Sequence, residues 1–321
     1  MKLLIVGSLA YDTISTEKDK INDTLGGSAV YAGISASWHL NVNLGIKNQV
    51  GLVGVIGKDF LSSDLEKLYK KGLNISGIKK EEGKTFRWSG SYSGKMEQAI
   101  THSTELNVFE TFSPKVSEQN KTPEIVFCAN MHPLIQLSVI NQTNPKKFIA
   151  VDSMNLWINN NFDELSDILC RVEMAILNSD EVKMIANCDN LIQAGKLICS
   201  GVALSSKNLI RKGPQILIIK KGGDGCLAMT SDDFIQLPAY QSSKIIDPTG
   251  CGDSFAGALL AHLSMNKSDV PTQEELRKAL IHANVTASFT IEKMGTEGIE
   301  NLNSKIYTKR LMEYQNQINN V

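Results

Sequence analysis

The chain has 321 residues, of which 42% are hydrophobic and 21% are charged, and its 33 lysines and arginines nearly balance 34 aspartates and glutamates. This length accommodates one large α/β domain or two smaller ones. The balanced charge, without a stripe rich in lysine and arginine, argues against nucleic acid or an anionic membrane surface as a partner. No run approaches the ~20 apolar residues that cross a bilayer. We expect a cytoplasmic protein with reduced cysteines and no zinc site.

The first element is predicted from MKLLIVG, a short apolar run that ends at Gly7 and therefore indicates a buried strand rather than a signal peptide. Further along, the segment from Lys84 to Phe109 alternates aromatic with polar residues and contains the turn pair Ser93-Gly94. This period of two predicts a β-hairpin with one aromatic face. Such a face must be covered by the rest of the chain, by a ligand or by another subunit.

From about residue 123 onward, short apolar runs alternate with segments of helical spacing. The runs predicted as strands are 124–130, 147–152, 173–178 and 215–220. Continuously apolar strands that alternate with helices predict a parallel sheet covered on both faces. A long helix is predicted between residues 271 and 295, where Thr272 and Glu275 fit a capping box and Gly295 is a stop signal.

The segment DPTGCGDSFAGALL, which begins at Asp247, carries most of the functional information. A strand is predicted at 244–246 before it, and a nearly all-apolar helix after it. Gly250 and Gly252 leave the backbone bare before a helix whose first amides lack intrahelical partners, which makes an anion site. Asp253 at the same end is placed to take a proton from a hydroxyl group that attacks a phosphorus atom. The alternative is a purely structural helix cap.

This segment resembles the C-terminal signature of the ribokinase/PfkB family of carbohydrate and nucleoside kinases, D-[TP]-T-G-A-G-D-x-[FY]-x-[GA]. Cys251 stands where the family usually has alanine, a change that leaves the backbone N–H in place. The resemblance covers about residues 3 to 300. The other segments that resemble family landmarks, in chain order, are GSLAYD (7–12), GGSAVYAG (26–33), VGVIGKDF (53–60), NSDE (178–181), KKGGDG (220–225) and HANVTAS (282–288).

The resemblance implies one ribokinase-like α/β domain over residues 1–321, with a central, mostly parallel sheet flanked by helices on both faces. It also implies a small β lid built from segments near 11–25 and 84–110. The implied activity is ATP-dependent phosphorylation of a hydroxyl group of a small sugar. The family uses ATP and Mg²⁺ and often needs K⁺ as well.

The resemblance also implies a set of site residues. The catalytic residues would be the base Asp253 and the anion hole of Gly250, Cys251 and Gly252. The residues that would bind the acceptor are Asp12, Gly26, Gly27, Ser28, Tyr31 and Trp88. Those that would lie along ATP are Lys220, Gly222, Gly225, Thr249 and Asn284. Asn178 and Glu181 would hold Mg²⁺ through water or phosphate, and Asp247 would contribute to a K⁺ site.

The identity of the acceptor stays open. Ribokinase-like members have a lysine after the two glycines and an asparagine three residues later, whereas this chain has Ser28 and Tyr31, which argues against ribose itself. A nucleoside kinase is the alternative, because several aromatic side chains could stack on a ring: Tyr31, Phe86, Trp88 and Tyr92. A sugar phosphate would need cations, for which Arg87 and Lys95 are the candidates.

Two further hypotheses come from other classes of protein. A catalytically silent sugar or nucleotide sensor could use the same fold, although the presence of Asp253 and of the N-x-x-E pattern argues against it. A dehydrogenase is disfavoured because no dinucleotide fingerprint occurs, and a P-loop is also missing. The aromatic lid face would permit a homodimer joined through the lids. The five histidines share no regular spacing with Cys, Asp or Glu, so we expect packing or surface roles for them; only His102, in the hairpin, could touch substrate.

Overall fold

The fold is that of a computed structural model and is described for residues 1–45, 47–94, 96, 99–204, 212–230 and 233–319. Its strands are β1 (Leu3–Val6), β2 (Ala10–Ser15), β3 (Lys20–Gly26), β4 (Val50–Ile56), β5 (Leu73–Lys80), β6 (Phe86–Ser91), β7 (Ile100–Glu105), β8 (Ile125–Cys128), β9 (Phe148–Asp152), β10 (Met174–Asn178), β11 (Ile216–Lys220), β12 (Cys226–Met229) and β13 (Phe234–Leu237). Its helices are α1 (Ser28–Leu44), α2 (Ser62–Lys70), α3 (Pro133–Gln142), α4 (Asn155–Asn160), α5 (Phe162–Leu169), α6 (Ser179–Ala186), α7 (Leu191–Cys199), α8 (Cys251–Met265), α9 (Gln273–Thr290), α10 (Glu297–Glu300) and α11 (Ser304–Asn319).

A nine-stranded sheet forms the centre, in the order β13-β12-β11-β10-β9-β8-β1-β4-β5. The neighbours from β11 to β5 pair in parallel, whereas β12 and β13 add antiparallel strands at one edge. The four predicted strands correspond to β8, β9, β10 and β11, so the predicted parallel sheet is confirmed. The carboxyl ends of these strands meet at one edge, where ligands bind in open α/β sheets.

Helices cover both faces of this sheet, as the apolar strands predict. In β1, Leu3 and Ile5 belong to a core cluster shared with α1, α8 and α9. Leu4 and Val6 belong to a second cluster, shared with α3, α5, α6 and α7. Because successive side chains of a strand point to opposite faces, a strand that is buried on both sides has no polar positions.

A second, four-stranded sheet has the order β3-β2-β6-β7 and contains the segments near 11–25 and 84–110 for which a lid is predicted; we call this sheet the lid. The predicted hairpin is confirmed as the antiparallel pair of β6 and β7, while β6 pairs with β2 in parallel. The chain itself covers part of the aromatic face: Phe86 packs against Phe109 with ring centroids 5.5 Å apart, and Tyr92 is buried.

Two expectations need correction. Residues 244–246 form no strand; the side chain of Ile245 is 53% exposed, and the amides of Ile246 and Asp247 both donate to the carbonyl of Ile291. The long helix begins at the predicted capping box but ends at Thr290, and Gly295 lies in the following turn with φ +56°. Among the residues described, no helix is long and apolar enough to cross a membrane.

Candidate active site

The N-terminus of α8 is shaped by Gly250. This residue has φ +72°, a conformation that favours glycine, and a Cβ atom there would lie 2.2 Å from Cδ1 of Tyr31. As a glycine, this N-cap residue has no side chain that could cap the helix end. The Cys251 amide donates to the Pro248 carbonyl at 3.1 Å, which leaves Gly252 and Asp253 in the first helical turn, where amides lack intrahelical partners. The predicted anion site would lie at this turn.

Two carboxyl groups interact at this end of α8: Asp253 of α8 itself and Asp12 of the distant strand β2. Burial, together with the nearby charge of Asp152, raises the pKa of Asp253 to about 7. Burial also raises the pKa of Asp12 in β2 to about 7, and the charges of Asp247 and Asp253 contribute to this shift. The structure therefore brings the predicted base and the predicted acceptor ligand together, with both groups in an environment that favours the neutral form.

The two glycines before α1 allow close packing against Asp12. A Cβ atom at Gly26 would lie 2.0 Å from Asp12 Oδ2, and one at Gly27, which has φ +98°, would lie 2.5 Å from the Ser8 carbonyl oxygen. Ser28 then exchanges hydrogen bonds with Ser8: its amide donates to Ser8 Oγ at 3.0 Å, and Ser8 N donates to Ser28 Oγ at 3.3 Å. These hydrogen bonds connect the turn between β1 and the lid strand β2, which contains Ser8, to the first residue of α1, Ser28.

The predicted aromatic residues differ in what they expose. Tyr31 is 1% exposed, and its hydroxyl has no hydrogen-bond partner among the described residues, so its ring offers no open face for stacking. Tyr92 accepts a hydrogen bond from Thr249 Oγ1 at 3.2 Å, which links the lid to the segment before α8. Trp88 is half-buried and stands opposite Asp12 in the register of β6 and β2. Paired residues share a face, so Trp88 and Asp12 lie on the same face of the lid.

Arg87, one of the two cations considered for a sugar phosphate, lies on the other face. It stands opposite Tyr11 in the register, with its guanidinium 5.3 Å from the Tyr11 ring centroid. It forms ion pairs with Asp23 and with Asp59, the latter at 2.9 Å. The second candidate, Lys95, lies outside the described residues.

Asp152 is a candidate site residue that the sequence did not suggest. It is the last residue of β9, and its Oδ2 forms an ion pair with Lys220 Nζ at 2.8 Å. Burial lowers the pKa of Lys220, but the charges of Asp152 and Glu181 outweigh this effect and raise it. A signal was available, because an acid that directly follows a buried run lies at the carboxyl edge of a parallel sheet.

Asn178 and Glu181 form a capping box at the start of α6. The Glu181 carboxylate accepts from the amide and from Nδ2 of Asn178, each at 2.7 Å, and Glu181 N donates to Asn178 Oδ1 at 2.8 Å. Burial raises the pKa of Glu181 to about 8, with Lys220 opposing this shift and Asp152 adding to it. Both side chains are engaged with each other, which suits contact with a metal ion through water rather than direct ligation.

The charge balance nearby fits a divalent cation. Within the described residues, the carboxyl groups of Asp152, Glu181 and Asp253 interact with the ammonium group of Lys220. Burial raises the pKa of Glu181 and of Asp253, so a divalent cation here would stabilise their ionised forms, and carboxylate oxygen atoms are the ligands that Mg²⁺ prefers.

The predicted nucleotide segment follows Lys220. Gly222 has φ +54°, and a Cβ atom there would meet open space. Gly225 has φ +91° and packs against the Leu237 carbonyl oxygen, 2.1 Å from where its Cβ atom would be. Asn284 is buried in α9, where Nδ2 donates to Cys226 Sγ at 3.2 Å and to the Leu280 carbonyl at 3.1 Å.

Asp247 ties two loops together. Its Oδ1 accepts from Thr249 N at 2.9 Å, and its Oδ2 accepts from Gly295 N at 2.8 Å. The side chain is fully buried, and burial raises its pKa. Each carboxylate oxygen of Asp247 therefore accepts a hydrogen bond from a backbone amide. The K⁺ site predicted at this residue stays a prediction.

The histidines are arranged in a way that their spacing did not predict. His39, His262 and His282 come together from α1, α8 and α9, with one nitrogen of each ring within 4.8 Å of the others. The rings of His262 and His282 stack, so their in-plane lone pairs do not converge on one point. His102 lies on exposed β7, 2.8 Å from Ser91 Oγ. All six cysteines lie within the described residues, and they form no disulfide with one another.

Comparison with known proteins places these features in a family. A family model described as pfkB family carbohydrate kinase matches residues 2–301. Cytidine kinase from Thermococcus kodakarensis is 27% identical over 88% of this chain and 95% of that protein. Nucleoside kinase from Methanocaldococcus jannaschii is 24% identical over 83% of this chain and 81% of that protein. Its crystal structure has a TM-score of 0.72 and covers 98% of this chain and 99% of that one, at 22% identity.

A fructokinase is similar over a shorter stretch. Fructokinase-1 from Oryza sativa is 31% identical over 33% of this chain and 32% of that protein. The fold and the family match thus define a ribokinase-like phosphotransferase. The chain belongs to the PfkB family of carbohydrate kinases, a family that uses ATP with a divalent metal ion.

Proposed function

We propose that this protein is a nucleoside kinase, which transfers the terminal phosphoryl group of ATP to a hydroxyl group of the nucleoside's ribose. The observation that carries the proposal is the common lid face of Asp12 and Trp88. A buried carboxylate can accept hydrogen bonds from ribose hydroxyls, and an indole ring that is partly exposed can stack on a base. The similarity of cytidine and nucleoside kinases along most of the chain supports the same choice.

Phosphoryl transfer is assigned to the N-terminus of α8. Asp253 takes the proton of the attacking hydroxyl, the hydroxyl oxygen forms a bond to phosphorus, and the bond between this phosphorus and ADP breaks. The amides of the first turn stabilise the charge on the transferring group. Mg²⁺ near Asn178 and Glu181 would neutralise phosphate charge. A pKa of about 7 suits a group that must accept a proton at neutral pH.

An uncharged acceptor fits this arrangement better than a sugar phosphate. A phosphate group on the acceptor would need a cation near Asp12, but Arg87 stands on the opposite lid face and is committed to Asp23 and Asp59. Several acidic groups, by contrast, surround the acceptor side, and a second phosphate there would be repelled.

A free sugar is the second candidate, and it is the acceptor that the sequence first suggested. It is favoured by the local identity with a fructokinase and by the polar floor that Ser8 and Ser28 provide. In this case Trp88 would contact a sugar ring rather than a base.

The test measures ADP release with Mg-ATP, with and without K⁺, against cytidine, uridine, adenosine, inosine, ribose, fructose and fructose 6-phosphate. We expect turnover of a nucleoside, and Asp253→Asn serves as the blank. Trp88→Ala should raise the nucleoside KM by about 5–150-fold, since stacking on a base contributes ~1–3 kcal/mol. Trp88→Phe keeps an aromatic ring and should retain most of this affinity. Turnover of fructose or ribose alone, unaffected by Trp88→Ala, would contradict the proposal.

A further inference from the structure

Lys220 is a buried cation beside the N-terminus of α8. Its side chain is 19% exposed, and Nζ lies 3.3 Å from the position that a Cβ atom would take at Gly252. Gly252 is the second residue of α8, and the neighbouring Asp253 is close enough for the charge of Lys220 to lower its pKa. The ammonium group therefore stands at the helix end whose amides are open to an anion.

Asp152 fixes this ammonium group in place. Asp152 is buried; its Oδ1 accepts from the amide of Ser153 at 2.8 Å, and its Oδ2 accepts from Lys220 at 2.8 Å. The carboxylate is thus anchored to the backbone on one side and holds Lys220 on the other. An ammonium group has three N–H donors, and the bond to Asp152 uses one of them.

Stability alone is a weak reason for such a pair. Removing two charges from water costs several kcal/mol for each ion, so that a buried ion pair is often no more stabilising than apolar side chains of similar volume. A positive charge held beside free helix amides is, however, an arrangement that stabilises a phosphoryl group during transfer.

We propose that Lys220 contacts the transferring phosphoryl group of ATP and that Asp152 is the positioning residue that presents Lys220 to it. This inference rests on the assignment of phosphoryl transfer to the N-terminus of α8. It predicts that the protein distinguishes ATP from ADP through Lys220, because ADP lacks the phosphoryl group in question.

The test is calorimetric binding of a non-hydrolysable ATP analogue and of ADP, each with Mg²⁺ and without acceptor. Lys220→Met should weaken binding of the analogue by about 10–100-fold, the range for a charge-assisted hydrogen bond, and should change ADP binding by less than about threefold. Lys220→Arg keeps the charge and should recover part of the loss. Lys221→Met removes a charge from the next position in the chain and should leave the ratio of the two affinities unchanged.

A double-mutant cycle tests the role of Asp152. Asp152→Asn should weaken binding of the analogue in the wild-type background, by about 3–30-fold, since the ammonium group loses its fixed position. In the Lys220→Met background the same substitution should not weaken binding further, because no ammonium group is left to be positioned. A cost of equal size in both backgrounds would overturn the positioning role.

The whole inference is overturned if Lys220→Met weakens the analogue and ADP equally, or neither of them. Thermal unfolding of each variant monitors the fold, and if Lys220→Met does not fold, Lys220→Gln provides the same comparison with a polar side chain. Because binding of the analogue and of ADP is measured without acceptor, the outcome does not depend on whether the acceptor is a nucleoside. Lack of turnover in an enzyme that binds the analogue through Lys220 would count against the proposed function alone.

Discussion

Tyr31 and Gly250 are in direct contact, and each constrains the other. A Cβ atom at Gly250 would lie 2.2–2.4 Å from three carbon atoms of the Tyr31 ring, at a backbone φ of +72°. Tyr31 is among the largest fully buried side chains of the protein, so its ring cannot yield. The turn at the start of α8 is therefore packed against Tyr31, a residue of α1.

The first prediction concerns this contact. Gly250→Ala should cost about 2–4 kcal/mol of unfolding free energy, because it combines a left-handed backbone with an overpacked core. It should also displace the first turn of α8 and lower turnover by at least about 100-fold. Denaturant unfolding and steady-state kinetics measure the two effects.

Gly223→Ala is the matched control for stability. A Cβ atom at Gly223 would meet nothing within 4 Å, and Gly223 is not among the glycines with positive φ. Its unfolding free energy should stay within about 0.5 kcal/mol of the wild type. If Gly250→Ala unfolds at the same denaturant concentration as this control, the contact with Tyr31 does not constrain the turn.

The second prediction concerns Asp253 as a base. Asp253→Asn should fold normally and lose about 10²–10⁴-fold in turnover, the usual contribution of a general base. Circular dichroism and thermal unfolding establish the fold, and ADP release establishes the loss. A folded variant that turns over at a wild-type rate would show that another group accepts the proton.

The acid side of the pH profile follows from the same residue. The pKa of Asp253 is raised to about 7, and only its ionised form accepts a proton, so kcat/KM should fall about tenfold per pH unit below pH 7. Asp12, with a pKa of about 7 as well, would add to this limb. The variant Asp12→Asn removes that contribution, and an acid limb should persist in it. A flat profile between pH 5 and 7 in this variant would contradict the assignment.

The sheet and the lid were predictable because both depend on local patterns. The strands β8 to β11 appear in the sequence as continuous apolar runs, a signature of strands buried on both faces. The capping box of Thr272 and Glu275 is equally local. The predicted strand at 244–246 was wrong because these residues pair with no neighbouring strand. Instead, the Ile246 and Asp247 amides both donate to the carbonyl of Ile291, which directly follows α9.

In the candidate site, the only residues that could be predicted from the sequence are those at positions that match a motif of the family. The contact between Asp152 and Lys220 spans 68 residues, and the bond between Tyr92 and Thr249 spans 157. Such contacts depend on the order of strands in the sheet and on the docking of the lid, which periodicity does not reveal. The resemblance assigned Tyr31 to the acceptor by analogy, whereas its burial under Gly250 was visible only in three dimensions.

The third prediction concerns the attachment of the lid. Asp59, in the turn after β4, accepts from both the amide and the hydroxyl of Thr85 at 2.7 Å through Oδ1, and from Arg87 at 2.9 Å through Oδ2. Thr85 directly precedes β6, and Arg87 is the second residue of this strand. Asp59→Asn removes the charge that Arg87 pairs with and should weaken this anchor by about 1–2 kcal/mol, the value of a partly screened charged hydrogen bond. The acceptor KM should rise by about 5–30-fold, with a smaller change in kcat.

Asp23→Asn is the control for this variant. Asp23 pairs with the same guanidinium group, but its side chain is 64% exposed, so its contribution is screened by water. We expect a change in KM of less than about twofold. Equal effects of the two substitutions would mean that the charge of Arg87, rather than its tie to the turn after β4, governs the lid.

The fourth prediction concerns acid stability and follows from the histidine cluster. The rings of His262 and His282 stack with centroids 3.8 Å apart, and His262 Nε2 lies 3.1 Å from His39 Nδ1. Burial lowers the pKa of all three groups, that of His282 to about 4. In the unfolded chain a histidine has a pKa of about 6.5, so the unfolded state binds more protons below that pH.

The contribution of these three histidines to the free energy of unfolding should therefore be fully present above pH 6.5. It should decrease as the pH falls below 6.5 toward their pKa values in the folded protein. Each of the three histidines contributes up to about 1.4 kcal/mol per pH unit, until its own folded pKa is reached. Denaturant unfolding between pH 7.5 and 5 measures the slope. His262→Gln, whose side-chain amide can still hydrogen-bond to His39, should reduce the slope by about one proton. Identical slopes in the wild type and in His262→Gln would show that the cluster does not govern acid stability.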